Sequence, residues 1–366
     1  MGVISFARGV PAPECLPVSE LADCARAAIE RDGASVLSYG PGGGYAPLRE
    51  WIAARHGVEP SRVVITSGSL QGFVFLVEQL VKPGSRVLVE APTYDRPLKI
   101  LNRLGAEIVG LPMDDDGLQV DALERALAAG EKPAFLYTIA TFQNPSGRTL
   151  STERRRRIAE LAREHELLVL EDDPYGLVRY EGEAPPTIFE LEGGTNVAYA
   201  SSFSKTIAPG VRVGYFVLPP ALAAQIEALA VSTYISPPFL TQAAVYEFVS
   251  RGLFEPNLER VTGLLGARRD AMLAALEEHM PEGATWSRPE GGYFIWLDLP
   301  HEAGDLLARA EAAGVTFVQG TDFFAYGSGT RSLRLAFSFV SVDEIAEGVS
   351  RLAGLLRGAP APASTL

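Results

Sequence analysis

The amino-acid sequence predicts an α/β protein with two units. The first is a large domain of three α/β/α layers around a mostly parallel, seven-stranded sheet, and the second is a smaller α+β domain. Seven short runs rich in β-branched and aromatic residues recur between positions 63 and 218, with amphipathic helical stretches between many of them. Such alternation is typical of parallel strands covered by helices on both faces. Beyond about residue 260, a long charged helix precedes a mixture of short strands and helices.

The predicted elements follow one another in a regular order along the chain. The strands of the large sheet are residues 63–66, 86–90, 107–112, 134–140, 167–172, 196–202 and 212–218. Helical patterns lie between them in LQGFVFLVEQLV, VDALERALAAG and ERRRRIAELAREH, and ERVTGLLGARRDAMLAALEEHM opens the smaller unit. We expect an N-terminal segment at residues 1–35 that joins the small domain, a large domain at 36–260, a small domain at 261–358 and a frayed tail at 359–366.

Composition restricts the class of function. With a net charge of -13, the chain lacks the basic surface that sequence-independent nucleic-acid binding needs, so small molecules are the expected partners. No apolar run approaches the length of a membrane span, and we expect a cytoplasmic protein. Two cysteines and four histidines without ligand spacing predict neither a disulfide framework nor a metal site. The basic run Arg154–Arg157 is predicted to lie on a solvated helix face.

Polar residues follow most of the predicted strands, where ligands of open α/β sheets bind. Ser69 lies in SGSLQG at the start of a helix, a pattern that suits a phosphate but is more often a plain helix cap. Asn144 precedes Pro145, and a simple turn explains it as well as a function does. Asp172 and Asp173 end a buried strand, and because a buried carboxylate without a partner is costly, we expect one of them to meet a cation.

Lys205 lies in the stretch SSFSKTIAPG, in a chain that has four lysines and 28 arginines. Ser202, Ser204 and Arg212 lie close by in sequence and are groups that bind phosphates. A lysine, a buried carboxylate and a phosphate site are together what pyridoxal phosphate needs. The lysine forms a Schiff base, and the carboxylate keeps the ring nitrogen protonated.

With these motifs in this order, the sequence resembles the fold type I pyridoxal-phosphate aminotransferases of class I/II, which have an aspartate aminotransferase-like fold. Within that class it is similar to the branch of the 2-aminoadipate and kynurenine aminotransferases. The resemblance covers almost the whole chain. It rests on the motifs SFARGVPAPECLP, YGPGGGYAPLRE, ITSGSLQG, EAPTYDRPL, FQNPSGRTLS, VLEDDPYG, SSFSKTIAPGVRVGY, RPEGGYFIWLDLP and LRLAFSF.

The resemblance implies roles around the cofactor ring. Lys205 would carry the Schiff base and move the proton during catalysis. Asp172 would pair with the pyridine nitrogen, and Tyr94 would stack on the ring. Asn144 and Tyr175 would hydrogen-bond the phenolic oxygen, with Tyr175 counted among the catalytic residues.

The resemblance also implies a phosphate site, a substrate site and a shared dimer. The phosphate would be held by Ser69, the Leu70 amide, Ser202, Ser204 and Arg212. Arg334 would grip the substrate α-carboxylate, assisted by Asn144 and by Gly9, whose backbone would close over the substrate. Tyr39 would reach the phosphate of the neighbouring subunit's cofactor, which implies a homodimer with shared active sites.

The implied reaction is transfer of an amino group from an L-amino acid to a 2-oxo acid, 2-oxoglutarate by family analogy, in a ping-pong mechanism. The alternatives are another fold type I enzyme, such as a β-lyase, decarboxylase or cyclising synthase, and a regulatory domain that senses the cofactor. Relatives usually carry about one more helix ahead of SFARG and a small residue in place of Arg8. We expect both departures to alter side-chain specificity.

Overall fold

A computed structural model of the chain describes residues 2–357, so the predicted frayed tail at 359–366 lies outside the described residues. The strands in chain order are β1 (Ile4–Ser5), β2 (Val63–Thr66), β3 (Arg86–Ala91), β4 (Glu107–Asp114), β5 (Gly117–Leu118), β6 (Phe135–Thr138), β7 (Val169–Asp172), β8 (Val197–Ser202), β9 (Gly214–Val217), β10 (Thr285–Trp286), β11 (Phe294–Asp298), β12 (Val315–Thr316), β13 (Val318–Gln319) and β14 (Ser332–Ala336).

Helices occupy most of the chain between these strands. In chain order they are α1 (Val18–Val36), α2 (Ala46–His56), α3 (Ser69–Leu80), α4 (Asp95–Arg103), α5 (Val120–Ala128), α6 (Thr152–Glu164), α7 (Ile188–Glu192), α8 (Pro220–Tyr234), α9 (Phe239–Ser250), α10 (Phe254–His279), α11 (Leu306–Ala312) and α12 (Val342–Arg357). No helix within residues 2–357 is long and apolar enough to cross a membrane.

The large sheet has the strand order β2-β9-β8-β7-β6-β3-β4-β5. Neighbours from β8 through β4 pair in parallel, whereas β9 runs antiparallel to both β2 and β8. The predicted α/β fold with a mostly parallel sheet is confirmed. The predicted count of seven strands misses β5, a two-residue strand that folds back on β4 through a turn at Asp115 and Asp116. So short a strand leaves no alternating pattern in the sequence.

Both faces of this sheet are covered, which makes the three layers. Successive residues of a strand point to opposite faces, and in β3 the side chain of Leu88 belongs to one apolar cluster while Val87 and Val89 belong to another. Every residue of β2, β6, β7, β8 and β9 is buried. Burial on both sides explains why these strands appear in the sequence as near-continuous apolar runs.

The smaller unit is a four-stranded antiparallel sheet in the order β10-β11-β14-β13, packed with α10, α11 and α12. The N-terminal strand β1 pairs in parallel with β12, so that Ile4 lies opposite Val315. Ile4 and Phe6 belong to the same apolar cluster as Leu335 of β14. The first residues of the described chain are therefore part of the C-terminal unit.

Helix α6 corrects one interpretation of the sequence. Arg157 does lie on a solvated face, where it pairs with Glu124 at 2.7 Å. Arg155, two residues earlier, is instead fully buried and donates hydrogen bonds to the Ala140 carbonyl at 2.6 Å and to Thr141 at 2.9 Å. Part of the basic run therefore anchors the end of a strand rather than facing solvent.

Candidate active site

A cavity of about 430 Å³ opens where the carboxyl ends of the central strands meet. Strands β2, β3, β6, β7 and β8 all run in the same direction, so the segments that follow them lie along one edge of the sheet. The cavity lining contains twelve predicted site residues: Gly9, Ser69, Leu70, Tyr94, Asn144, Asp172, Tyr175, Ser202, Ser204, Lys205, Arg212 and Arg334.

Lys205 follows β8 and extends its amine into this cavity. The Nζ atom donates a hydrogen bond to the Gly9 carbonyl oxygen at 2.7 Å and lies 5.7 Å and 5.2 Å from the ring centres of Tyr175 and Tyr293. Burial lowers the pKa of Lys205 to about 8, and the positive charge of Arg334 adds to the effect. A substantial fraction of the amine is consequently neutral near physiological pH, which suits a nucleophile or base.

Asp172, the last residue of β7, is a buried carboxylate of which only one oxygen is hydrogen-bonded to the protein. Its Oδ2 atom accepts a hydrogen bond from the Tyr137 hydroxyl at 2.8 Å, whereas Oδ1 is buried without a protein partner. Burial raises the pKa of Asp172 to about 7. Asp173 instead accepts hydrogen bonds from Tyr199 at 2.9 Å and from the Gly176 amide at 2.7 Å. Neither aspartate forms an ion pair with a protein side chain within residues 2–357, so the expectation that one of them meets a cation stays a prediction.

One corner of the cavity collects hydroxyls, amides and a guanidinium. Helix α3 begins at Ser69 after Gly68, which has a φ of 84°. The Ser202 and Ser204 hydroxyls are 2.8 Å apart. Arg212, in a left-handed conformation with a φ of 52°, donates to the Ser67 carbonyl at 2.7 Å. A helix start that carries these groups can bind an anion.

The opposite part of the cavity holds a second, buried guanidinium. The Arg334 Nη1 atom donates to Asn144 Oδ1 at 3.0 Å, and Nη2 donates to the Ala7 carbonyl at 2.9 Å. The rings of Phe294 and Phe323 lie 4.3 Å and 5.0 Å from the guanidinium carbon. The buried Nε atom has no protein partner. This arrangement leaves a desolvated cation with hydrogen-bonding capacity to spare.

The remaining predicted residues divide into those inside the cavity and one outside it. Tyr94 and Tyr175 both line the cavity, and burial raises the pKa of the Tyr94 hydroxyl to about 12. Tyr39 does not line it and is 79% exposed on the surface of the single chain. Among the described residues, no cluster of side chains could hold a metal ion.

The family model of aminotransferase class I and II matches residues 4–352. The chain belongs to this family. An aromatic-amino-acid aminotransferase 1 from Thermococcus litoralis is 37% identical over 97% of this chain and 88% of its own. A 2-aminoadipate transaminase from Thermus thermophilus is 39% identical over 98% of this chain and 91% of its own.

Solved structures agree with this membership. The crystal structure of a Pyrococcus horikoshii kynurenine aminotransferase with PMP has a TM-score of 0.94 to this aminotransferase at 37% identity, over 98% of this chain and 91% of the other. The predicted family, fold and enzyme class are therefore confirmed, and the protein is a pyridoxal-phosphate-dependent transaminase.

The side chains of this aminotransferase fit the cofactor. The unpartnered Oδ1 of Asp172 is an acceptor for a protonated ring nitrogen, a group that would satisfy this buried oxygen. The corner around Ser69, Ser202 and Arg212 suits a phosphate. At Gly214, an added Cβ would collide with the Ser69 amide nitrogen, so the backbone is closely packed at that corner.

Sequence reasoning missed three residues that contact these groups. The Tyr137 hydroxyl donates to Asp172, and the Tyr293 hydroxyl donates to the Lys205 carbonyl at 3.1 Å. Glu90 accepts a hydrogen bond from Gln143, the residue before Asn144. Tyr137 and Glu90 lie in strands, where a tyrosine in AFLYTIA or a glutamate in RVLVE carries no signal of its own. Tyr293 follows a glycine pair in GGYF, and a tyrosine at that position carries no signal of a contact with the Lys205 segment.

Proposed function

We propose that this aminotransferase moves the amino group of an L-amino acid to 2-oxoglutarate by a ping-pong mechanism in which both substrates use one site in turn. One observation carries the proposal: the Lys205 amine, the free oxygen of Asp172 and the Arg334 guanidinium line a single cavity of about 430 Å³. The cavity offers one buried guanidinium for a substrate carboxylate. Donor and acceptor, which each have an α-carboxylate, would occupy it successively.

The cavity offers one group of residues for the cofactor ring and another for its phosphate. Pyridoxal phosphate, when bound, supplies an aldehyde that condenses with amines and a ring that accepts electron density from the substrate α-carbon. Asp172 would keep the ring nitrogen protonated, Tyr94 would lie against the ring, and Asn144 and Tyr175 would face its phenolic oxygen. The phosphate would be held by Ser69, the Leu70 amide, Ser202, Ser204 and Arg212.

Lys205 is the group we assign to proton transfer. Its pKa of about 8 means that the amine exists in both protonation states near neutral pH, the condition under which one group can both accept and donate a proton. Arg334 contributes to this shift because its fixed positive charge disfavours a second cation nearby. The same two residues would thus define where the α-carbon and the carboxylate of a substrate lie.

Arg334 would receive the α-carboxylate as a bidentate pair. The guanidinium is buried against Phe294 and Phe323, and a charge-assisted hydrogen bond is strong in such surroundings. Asn144 holds one end of the guanidinium at 3.0 Å and thereby fixes the plane in which a carboxylate can bind. Gly9, whose carbonyl contacts Lys205, would close the cavity above the substrate.

We further propose a homodimer in the cytoplasm in which Tyr39 acts across the subunit interface. Tyr39 lies outside the cavity of its own chain, and its 79% exposed ring is an unusual surface feature for a large aromatic side chain. Two more exposed apolar side chains support an interface at this segment: Leu37, two residues before Tyr39, and Val231, which lies against Gly42. Tyr39→Phe should weaken cofactor binding in a dimer, and sedimentation velocity would establish the oligomeric state.

A donor-only experiment tests the proposed reaction. Purified enzyme loaded with pyridoxal phosphate is mixed with one amino acid at a time, including 2-aminoadipate, kynurenine, glutamate, aromatic and branched-chain amino acids. A transaminase should release one equivalent of 2-oxo acid per active site and then stop until 2-oxoglutarate is added. Release of ammonia or carbon dioxide would favour a β-lyase or a decarboxylase, and absence of any turnover would favour a regulatory domain.

A further inference from the structure

Glu90 is a fully buried carboxylate to which neither the cofactor nor the substrate has been assigned. It lies near the end of β3, it is 1% exposed, and three donors converge on it. These donors are the Thr138 hydroxyl at 2.6 Å, the Ile139 amide at 3.1 Å and the Gln143 side-chain amide at 2.9 Å. Within residues 2–357 the carboxylate has no ion-pair partner, and Arg155 acts on it only through space.

Gln143 extends this contact to the two loops that border the cavity. Its Nε2 atom also donates to the Pro92 carbonyl at 2.8 Å, two residues before Tyr94. Its Oε1 atom accepts a hydrogen bond from the Ser146 amide at 2.8 Å and so closes the turn that contains Asn144. The Glu90 carboxylate is therefore the fixed point to which the Asn144 turn is attached.

Asn144 connects the Glu90 carboxylate to the cavity, because its Oδ1 atom accepts a hydrogen bond from Arg334. We propose that Glu90 is a positioning residue that holds the Asn144 turn, and through it the Arg334 guanidinium, in the orientation that receives a substrate carboxylate. The inference rests on the proposed function in that it takes Arg334 as the carboxylate-binding residue. It adds a residue that acts on substrate affinity without touching the substrate.

The chemistry of the three donors explains why a carboxylate stands at this position. A carboxylate has only acceptors, so it can satisfy a hydroxyl, a backbone amide and a side-chain amide together. A glutamine at position 90 would direct its NH2 group at two donors if that group faced Ile139 and Gln143. In the other orientation the NH2 group could donate to the Thr138 hydroxyl, but the hydrogen bonds from Ile139 and Gln143 would lose their charge assistance. Burying an anion without a neighbouring cation costs desolvation free energy, and charge-assisted hydrogen bonds offset part of that cost.

The test compares Glu90→Gln with a matched variant, Glu192→Gln. Glu192 is also a buried glutamate, 6% exposed, and it accepts hydrogen bonds from the Thr195 amide at 2.7 Å and from both the backbone and side-chain amides of Asn196 at 3.1 Å. It ends α7 and does not line the 430 Å³ cavity. Both substitutions remove a carboxylate from a buried glutamate that accepts three hydrogen bonds, although Glu192 also lies 4.0 Å from the Arg163 guanidinium.

The measurement is calorimetric binding of unreactive carboxylates to the holoenzyme, with glutarate and 3-phenylpropanoate as probes. We expect Glu90→Gln to weaken binding of the better probe about tenfold or more, and Glu192→Gln to change it less than about twofold. The dissociation constant of pyridoxal phosphate, measured by fluorescence, should stay within about twofold in Glu192→Gln. In Glu90→Gln it should change less than the probe affinity does, because the phosphate corner, which Glu90 does not contact, stays intact and only the Asn144 side of the cofactor site shifts.

Unchanged probe affinity in Glu90→Gln would overturn the proposal, as would an equal loss in Glu192→Gln or failure of both probes to bind the unaltered holoenzyme. If Glu90→Gln does not fold, Thr138→Val removes one of the three hydrogen bonds at nearly constant volume. That variant should weaken the probe about threefold or more, and unaltered affinity would equally overturn the inference. Because probe binding requires no turnover, this result is independent of whether amino transfer is the reaction.

Discussion

The Nζ atom of Lys205 donates a hydrogen bond of 2.7 Å to the carbonyl oxygen of Gly9, a residue 196 positions earlier in the chain. The proposed base of the site thus touches the segment that lies over it. Gly9 has no room for a side chain, because a Cβ atom would lie 2.6 Å from the Phe294 ring. Phe294 in turn stacks against Arg334, so the N-terminal segment at Gly9 contacts Lys205 directly and adjoins Arg334 through the Phe294 ring.

Gly9→Ala should therefore lower kcat/KM. Overpacking against the Phe294 ring costs about 1 to 3 kcal/mol, which corresponds to a loss of roughly tenfold if the segment shifts away from Lys205. Gly2→Ala is the control, since a Cβ there meets no atom within 4 Å. Steady-state kinetics that give Gly9→Ala and Gly2→Ala the same kcat/KM would contradict the assignment.

Lys205 should react as a neutral amine in the cofactor-free protein from about pH 8 upward. Only the deprotonated amine attacks an acylating reagent, so modification of Lys205 should rise with a midpoint near pH 8. Arg334→Gln should move the midpoint to higher pH, because it removes a positive charge that lowers this pKa. Peptide mass spectrometry across a pH series measures both, and a midpoint near the ordinary value of 10.5 would contradict the prediction.

Borohydride reduction of the holoenzyme should leave the cofactor mass on Lys205, and Lys205→Ala should lose both the adduct and the visible absorbance of the bound cofactor. The other three lysines lie outside the cavity lining and should carry no adduct. An adduct on any of them in the unaltered protein would show that the cofactor is held elsewhere.

Asp172→Asn should stabilise the cofactor-free protein while it removes most turnover. The folded-state pKa of Asp172 is about 7 and its ordinary value is 3.8, so between these values the folded protein binds more protons than the unfolded chain. The free energy of unfolding therefore falls as pH rises through that window, because Asp172 must ionise in a buried position. The full loss, about 1 to 4 kcal/mol, is present above pH 7. Urea unfolding at pH 5 and pH 8 should show a larger advantage for Asn at pH 8.

Gly214→Ala should weaken cofactor binding at the phosphate corner. A Cβ at this position would collide with the Ser69 amide nitrogen and the Gly68 carbonyl carbon, and a shift of that backbone should raise the dissociation constant of pyridoxal phosphate at least about tenfold. Gly210→Ala is a matched control four residues earlier, where a Cβ meets nothing within 4 Å. Equal cofactor affinity in the two variants would exclude this corner as the phosphate site.

Arg334→Lys should raise KM for the amino donor about 10- to 100-fold, because a lysine ammonium cannot form the paired hydrogen bonds of a guanidinium. Cofactor content should stay unchanged. Arg331→Lys serves as the control, since Arg331 is exposed and donates only to the Leu299 carbonyl at 2.9 Å among the contacts described. A KM that rises equally in both variants would point to a general disturbance of the small sheet.

The location of the site could be predicted from the sequence because of sheet geometry. Parallel strands end at one edge, so residues such as Asn144, Asp172 and Lys205, far apart in sequence, had to lie close together once the strands were recognised. The structure brings them into one cavity. The family resemblance added Arg334 and Gly9, which lie in the smaller unit and in the N-terminal segment, where strand order alone gives no indication of the site.

Contacts between side chains on different strands could not be predicted. Glu90 reaches Gln143 across 53 positions, and Tyr137 reaches Asp172 across 35. Arg155 is another example, because its sequence neighbours are arginines and glutamates typical of an exposed helix face, yet it is fully buried. In each case the partner is selected by the register of the sheet and by the packing of a helix on it, neither of which leaves a periodic pattern in the chain.

The pairing of β1 with β12 has a practical consequence for handling this enzyme. Ile4 pairs with Val315 in the C-terminal unit, and five residues later Gly9 supplies the carbonyl that contacts the Lys205 amine. A fusion partner or purification handle placed directly ahead of Ile4 would adjoin that stretch, whereas one on the C-terminal side would follow α12, whose last residue, Arg357, is exposed. Preparations immobilised through opposite termini should therefore differ in specific activity even when their cofactor content is equal.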